Sequence, residues 1–176
     1  MRSSIGATAL ATVLVAGCGS PAGSAAPVTE RVEVAKAAAV VRAFDLKTTD
    51  GRALSVPATE HPTVVFFMAA WCITCVQGAR DLAKLHADYA SRGLRVIAID
   101  VDQNETVEDL ARFRDLAGDP PYDWALDGSG TVTRSLAIRS LDATLLSSPK
   151  GEVLFRSESL PNPNALRRAV QLALGF

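Results

Sequence analysis

The sequence predicts an α/β fold: a central mixed β-sheet flanked by helices, with an N-terminal hairpin in front of it. Three observations predict it. Val64 to Met68 is continuously apolar and rich in β-branched and aromatic residues, the pattern of a strand covered on both faces. Leu94 to Ile99 repeats that pattern after a stretch of helical period, so the two strands should pair in parallel across a helical crossover. Nearer the C-terminus, two strand-like runs flank Ser148-Pro149-Lys150-Gly151 and lead into an amphipathic helix. The order is then βαβ, helix, ββα.

The 176 residues, 48% hydrophobic and 21% charged, suffice for one globular domain with an ordinary core. A net charge of −1 with no basic run sets nucleic acid aside as a partner. Residues 1–17 read as a signal peptide. Arg2 supplies a short positive region, and Ile5 to Ala16 an apolar stretch too short to span a bilayer. The stretch ends in Val15-Ala16-Gly17-Cys18, which resembles the lipobox of bacterial lipoproteins. That resemblance implies cleavage before Cys18 and a diacylglyceryl group on its sulfur, with more than one lipid chain giving stable anchoring. Ordinary signal-peptide cleavage, or a retained anchor, is the alternative. Residues 18–40 then form the lipidated cysteine and a flexible linker, with Ser20, Pro21, Gly23, Ser24 and Pro27 among alanines. The folded domain is expected over residues 41–176. Ala35 to Val41 suits a strand or a helical turn equally.

Within the domain, Ala43 to Leu46 and Arg52 to Val56 flank Thr49-Asp50-Gly51, a hairpin signal. His61-Pro62 leads into the first buried strand. Val76, Ala79, Leu82, Leu85, His86 and Tyr89 then recur at helical spacing up to Gly93, a stop signal. Asp81, Lys84 and Asp88 form the solvated face of that helix, with Lys84 and Asp88 as an i,i+4 pair. Asp100-Val101-Asp102 reads as a solvated strand end. Thr106 to Ala117 is a second helix, with Thr106 and Asp109 as a capping box and Val107, Leu110, Phe113 and Ala117 facing inward. Tyr122 to Leu126 is a short extended piece, residues 127–130 a turn, and Thr131 to Ala137 a short helix. Ala143 to Leu146 and Glu152 to Arg156 form an antiparallel hairpin. Asn162 caps the last helix, Pro163 opens it, and Leu166, Ala169, Val170, Ala173 and Leu174 make its apolar stripe.

The chemistry sits at Trp71-Cys72-Ile73-Thr74-Cys75, where the first buried strand gives way to the helix. Free N–H groups and the dipole at a helix N-terminus favour an anion, so a thiol there should ionise more readily. Two intervening residues put the sulfurs within bonding reach. Cys72, at the exposed end, can attack a disulfide, and Cys75, half a turn deeper, can resolve the mixed disulfide. Two other readings exist. A Cys-x-x-Cys is half of a zinc site, but only Cys18, His61 and His86 could complete it and none is paired at ligand spacing. No metal or cofactor is therefore expected. An inert structural disulfide is possible, but so short a loop gains little by closure. Three cysteines in an exported chain leave one over; lipid on Cys18 removes the surplus.

A strand, then Ala69-Ala70-Trp71-Cys72-x-x-Cys75, then a long helix resembles the thioredoxin superfamily. From Phe44 to the C-terminus the chain resembles its exported, membrane-tethered branch, the TlpA-like and ResA-like thiol–disulfide oxidoreductases. The resemblance implies a thioredoxin-like fold and a redox-active Cys72–Cys75 disulfide. It also implies electrons from a CcdA-type or DsbD-type membrane carrier, and exported protein disulfides as substrates, apocytochrome c among them. Export places the pair in an oxidising compartment.

The chain departs from this family in three places. The family's cis-proline before the last hairpin falls on Asp142, where a trans bond is expected because a non-proline cis bond costs about 3–4 kcal/mol. Gly78 and Arg80 stand where the branch often has Glu and Pro. Ile73-Thr74 lies between the cysteines, without the usual proline or histidine. A carboxylate at Asp142 beside the pair would disfavour the thiolate and lower the reduction potential. Asp142 as a plain loop residue is the alternative. Trp71 is either an apolar wall beside the pair or a core residue.

The expected function is that of an extracytoplasmic thiol–disulfide oxidoreductase, lipid-anchored to the bacterial cell membrane, reducing exported protein disulfides through Cys72 and Cys75. A disulfide-forming oxidase, a Cu(I) metallochaperone using both sulfurs, and a thiol peroxidase are the alternatives.

Overall fold

The structure is a computed structural model that describes residues 40–176. The expected signal peptide, Cys18 and nearly all of the linker lie outside the described residues. Among the described residues, twelve regular elements follow one another in chain order, counting one 3₁₀ turn. Phe44–Lys47 (β1) and Ala53–Val56 (β2) form the expected antiparallel hairpin around Thr49-Asp50-Gly51. Just before it, Val40 bridges to Glu152 and the Val41 N–H donates to the Gly151 carbonyl, so this segment is extended.

The main sheet has five strands in the order β5-β4-β3-β6-β7. Thr63–Met68 (β3) lies at its centre, parallel to Arg95–Asp100 (β4) and antiparallel to Ala143–Ser147 (β6). Asp123–Leu126 (β5) extends β4 in parallel, and Val153–Ser157 (β7) pairs with β6. The apolar run of β3 follows from this position. Val64, Phe66 and Met68 enter the core on one face, and Val65 and Phe67 enter it on the other. Each large side chain so buried contributes about 1.5–3 kcal/mol.

The first face is covered by Cys75–Tyr89 (α1), Val107–Ala117 (α2) and Pro163–Ala173 (α4). Leu82 and Leu85 of α1, Leu110 and Phe113 of α2, and Leu166 and Val170 of α4 are the buried side chains that cover it. The second face is covered by the β1–β2 hairpin and Thr131–Ser135 (α3), through Leu54, Val56 and Val132. The helix ends are built as expected. Thr106 and Asp109 form a reciprocal capping box on α2. Asn162 accepts from Asn164 and Ala165 at the start of α4, with Pro163 in its first turn. α1 runs into a 3₁₀ turn, Ala90–Arg92, and stops at Gly93, whose φ of 97° suits glycine.

Three expectations are corrected. Val107 is exposed; capping at Thr106 puts it in the first turn, turned to solvent. Lys84 pairs with Asp81 one turn back, and Asp88 pairs with Arg167 of α4, so the expected Lys84–Asp88 pair is not made. Asp100 is fully buried at the end of β4 rather than solvated. No described helix is long and apolar enough to cross a membrane.

Candidate functional site

β3 ends at Met68, and the chain turns tightly before α1. The Cys72 N–H donates to the Ala69 carbonyl at 2.9 Å, and the Cys75 N–H to the Cys72 carbonyl at 3.0 Å. This places Cys72 in the turn just ahead of α1 and Cys75 at its first residue. Cys72 and Cys75 are joined by a disulfide, with Cα atoms 5.4 Å apart. Both belong to the core cluster under the helices. Cys75 has no exposure, while Cys72 keeps 5%. The expected exposed end is therefore nearly covered. The segment before β6 stands beside the pair: an Asp142 carboxylate oxygen lies near both sulfurs, and Leu141 packs on the large core cluster to which they belong.

Asp142 stands where the sequence placed it. One of its carboxylate oxygens and the two sulfurs all lie within 4.8 Å of one another. Its φ is +62°, a left-handed conformation that Asp tolerates better than most residues. The bond before it is trans, since the only cis peptide bond among the described residues precedes Pro57. Asp142 Oδ1 is buried and accepts no hydrogen bond from a described residue. Burial pushes the carboxyl above the ordinary range, and the Thr74 hydroxyl beside it pulls back in part. The same hydroxyl lies 3.3 Å from Cys72 Sγ. Among the described residues, Cys72, Cys75 and Asp142 are the one cluster with the makings of a metal site. A cation there would need both sulfurs as thiolates, and here they are bonded to each other.

The backbone just before Cys72 is held by acidic side chains that the sequence reading missed. Glu105 accepts from the Ala70 N–H at 2.6 Å and from the Trp71 N–H at 3.0 Å. Asp100 also accepts from Ala70, and from the Asp102 N–H. Asp102 accepts from the Trp71 indole at 2.9 Å. Three carboxyls thus hold the entry to the cysteine turn. Burial and the neighbouring Glu105 push Asp100 up to about 8, so it carries a proton at neutral pH. Asp100 was visible only as a charge at a strand end; nothing in the local sequence showed that Glu105 would close over it.

Trp71 is 66% exposed and Ile73 72%, so they form an apolar rim beside Cys72. The core reading of Trp71 does not hold, because its ring lies outside and is tethered by Asp102. Gly78 has a structural reason. A Cβ there would meet Phe66 Cζ at 2.8 Å and Leu160 Cδ1 at 2.9 Å, so no glutamate fits. Arg80 reaches across to the Leu116 carbonyl at 2.7 Å. His86 packs edge-on to Tyr122, away from the chemistry, and burial lowers its pKa. His61 offers its carbonyl to Thr63 in the loop before β3.

The family model described as AhpC/TSA matches residues 37–156. A protein described as mercury resistance operon ORF3, from Streptomyces lividans, is 26% identical over 138 residues, 77% of this chain and 72% of that one. The sporulation thiol-disulfide oxidoreductase A of Bacillus subtilis is 24% identical over 122 residues, 67% of this chain and 72% of the relative. Among solved structures, a putative thiol:disulfide interchange protein DsbE from Chlorobium tepidum superposes with a TM-score of 0.69. It is 22% identical and covers 78% of this chain and 97% of its own. With a disulfide-bonded Cys-x-x-Cys at the end of the central strand, the chain belongs to the AhpC/TSA family, has a thioredoxin-like fold, and is a thiol–disulfide oxidoreductase.

Proposed function

We propose that this chain reduces disulfides of exported proteins, with Cys72 as the attacking thiolate and Cys75 as the resolving thiol. The observation that carries the reading is the unequal burial of a joined pair. Cys72 keeps a narrow opening beside Trp71 and Ile73, and Cys75 has none. A substrate sulfur can meet only Cys72. Its position just ahead of α1 supports the thiolate there. The net reaction moves two electrons. Cys72 and Cys75 become the disulfide, and the substrate disulfide becomes two thiols. Asp142 supports the direction. A carboxylate beside the pair disfavours the thiolate and hence the reduced form, and about 30 mV corresponds to 1.4 kcal/mol.

Cys18 carries the lipid that ties the chain to the outer face of the cell membrane. The pair is re-reduced by a CcdA-type or DsbD-type membrane carrier, and apocytochrome c is a candidate substrate. The relatives named as thiol-disulfide oxidoreductase and thiol:disulfide interchange protein support the chemistry.

The test is capture in cells with the full chain carrying Cys75→Ser, which leaves the mixed disulfide unresolved. Exported proteins joined through Cys72 are the expected catch. Capture confined to cytosolic proteins, or none at all, contradicts the proposal.

A further inference from the structure

Cys75 poses a problem that its burial creates. To resolve a mixed disulfide it must attack as a thiolate, yet it has no exposure through which to pass its proton to water. Asp142 lies beside the same pair. One of its oxygens is within 4.8 Å of both sulfurs, and Oδ1 is buried with no hydrogen-bond donor from any described residue. An acceptor left in that state is costly, unless some form of the molecule supplies a donor. The dithiol form supplies one, because a reduced thiol carries the S–H that the disulfide lacks.

We infer that Asp142 is a catalytic residue, the acceptor of the Cys75 thiol proton when Cys75 displaces the substrate from Cys72. The inference rests on the reading of Cys72 as attacking and Cys75 as resolving. The Cys75 S–H bond breaks, and its proton passes to the Asp142 carboxylate. The freed electron pair on Cys75 Sγ forms the bond to Cys72 Sγ. The bond from Cys72 to the substrate sulfur breaks, and that sulfur leaves as a thiolate with the electron pair. It then takes a proton from Asp142 or from solvent, and the site is reset. No other oxidant or reductant enters.

The surroundings suit the role. Burial strengthens the carboxylate as a base, and the Thr74 hydroxyl, which also touches Cys72, is the one polar side chain that acts against it. Cys72 in the turn and Cys75 on α1 are the titratable groups that share its space. No charged side chain contributes to its environment among the described residues. The backbone also accepts a clean test. Asp142 has φ +62°, which Asn adopts as readily as Asp, so Asp142→Asn removes the base and keeps the turn.

The experiment mixes the reduced full chain with an aromatic disulfide whose thiol absorbs visible light, in a stopped-flow instrument, from pH 6 to pH 10. Attack by Cys72 releases the first chromophore and attack by Cys75 the second; Cys75→Ser identifies the second phase by abolishing it. The expected result is that Asp142→Asn slows the second phase on the order of 100-fold at pH 7, the usual scale of acid–base catalysis. The gap should close towards pH 10, where the thiol ionises unaided. This opposes what electrostatics alone would do, since loss of a negative charge makes both thiolates easier to form and speeds both phases. A second phase in Asp142→Asn that is as fast as wild type at pH 7, or faster, overturns the assignment. Absence of the first phase in wild type would instead overturn the reading of Cys72.

Discussion

Gly78 and Asp142 occupy two positions where the chain departs from the family pattern, and each has a physical account. At Gly78 the fully buried Phe66 ring cannot yield to an added Cβ, although Leu160 on the surface can. Gly78→Ala should destabilise the fold by about 1–3 kcal/mol, the usual cost of overpacking. A urea titration reads it as a lower midpoint with unchanged slope. Asp142 acts through charge. In the reduced protein, Asp142→Asn should lower the Cys72 thiolate pKa, followed by thiolate absorbance against pH. A pKa that stays or rises would show that the Asp142 charge does not act on Cys72. Asp142 could be found from the sequence because counting back from Gly151 gives its register with β6. Its burial beside the sulfurs could not, because that depends on two segments distant in sequence meeting.

The β4–α2 connection holds the cysteine turn through Asp100, Asp102 and Glu105. Glu105→Ala would remove the closest acceptor of the Ala70 N–H, leaving it Asp100 alone, and would release the exposed Trp71 N–H to water. Hydrogen exchange at those two amides should speed up while the α4 amides stay protected. Equal protection in both variants would show that Glu105 does not hold the turn. Asp100 gives this connection a pH dependence of known sign. Its folded pKa is raised, so its contribution to stability is complete below the ordinary carboxylate pKa. That contribution is lost as pH rises towards about 8. Asp100→Asn keeps a donor towards Glu105 and does not titrate. The melting temperature of the variant relative to wild type should therefore rise from pH 5 to pH 8.5; parallel curves would contradict this. The sequence hid this device because Asp100-Val101-Asp102 looks solvated until a carboxyl five residues on closes over it.

At the scale of the molecule, one sheet with helices on one face and a hairpin and short helix on the other carries the disulfide to the end of its central strand. That architecture was legible because its strongest signals are local: the doubly buried runs at Val64 and Leu94, the capping box at Thr106, and the Asn162-Pro163 start. What was not legible came from contacts distant in sequence. The near-covering of Cys72, the outward tryptophan and the acidic side chains at the cysteine turn each need segments thirty or more residues apart to meet. The most direct measurement of the central claim is the intact mass of each single-cysteine variant after the reduced, purified chain meets a protein disulfide. Cys75→Ser should accumulate a one-to-one adduct through Cys72, and Cys72→Ser should form none. Adducts of equal yield from both variants, or an adduct through Cys75 alone, would contradict it.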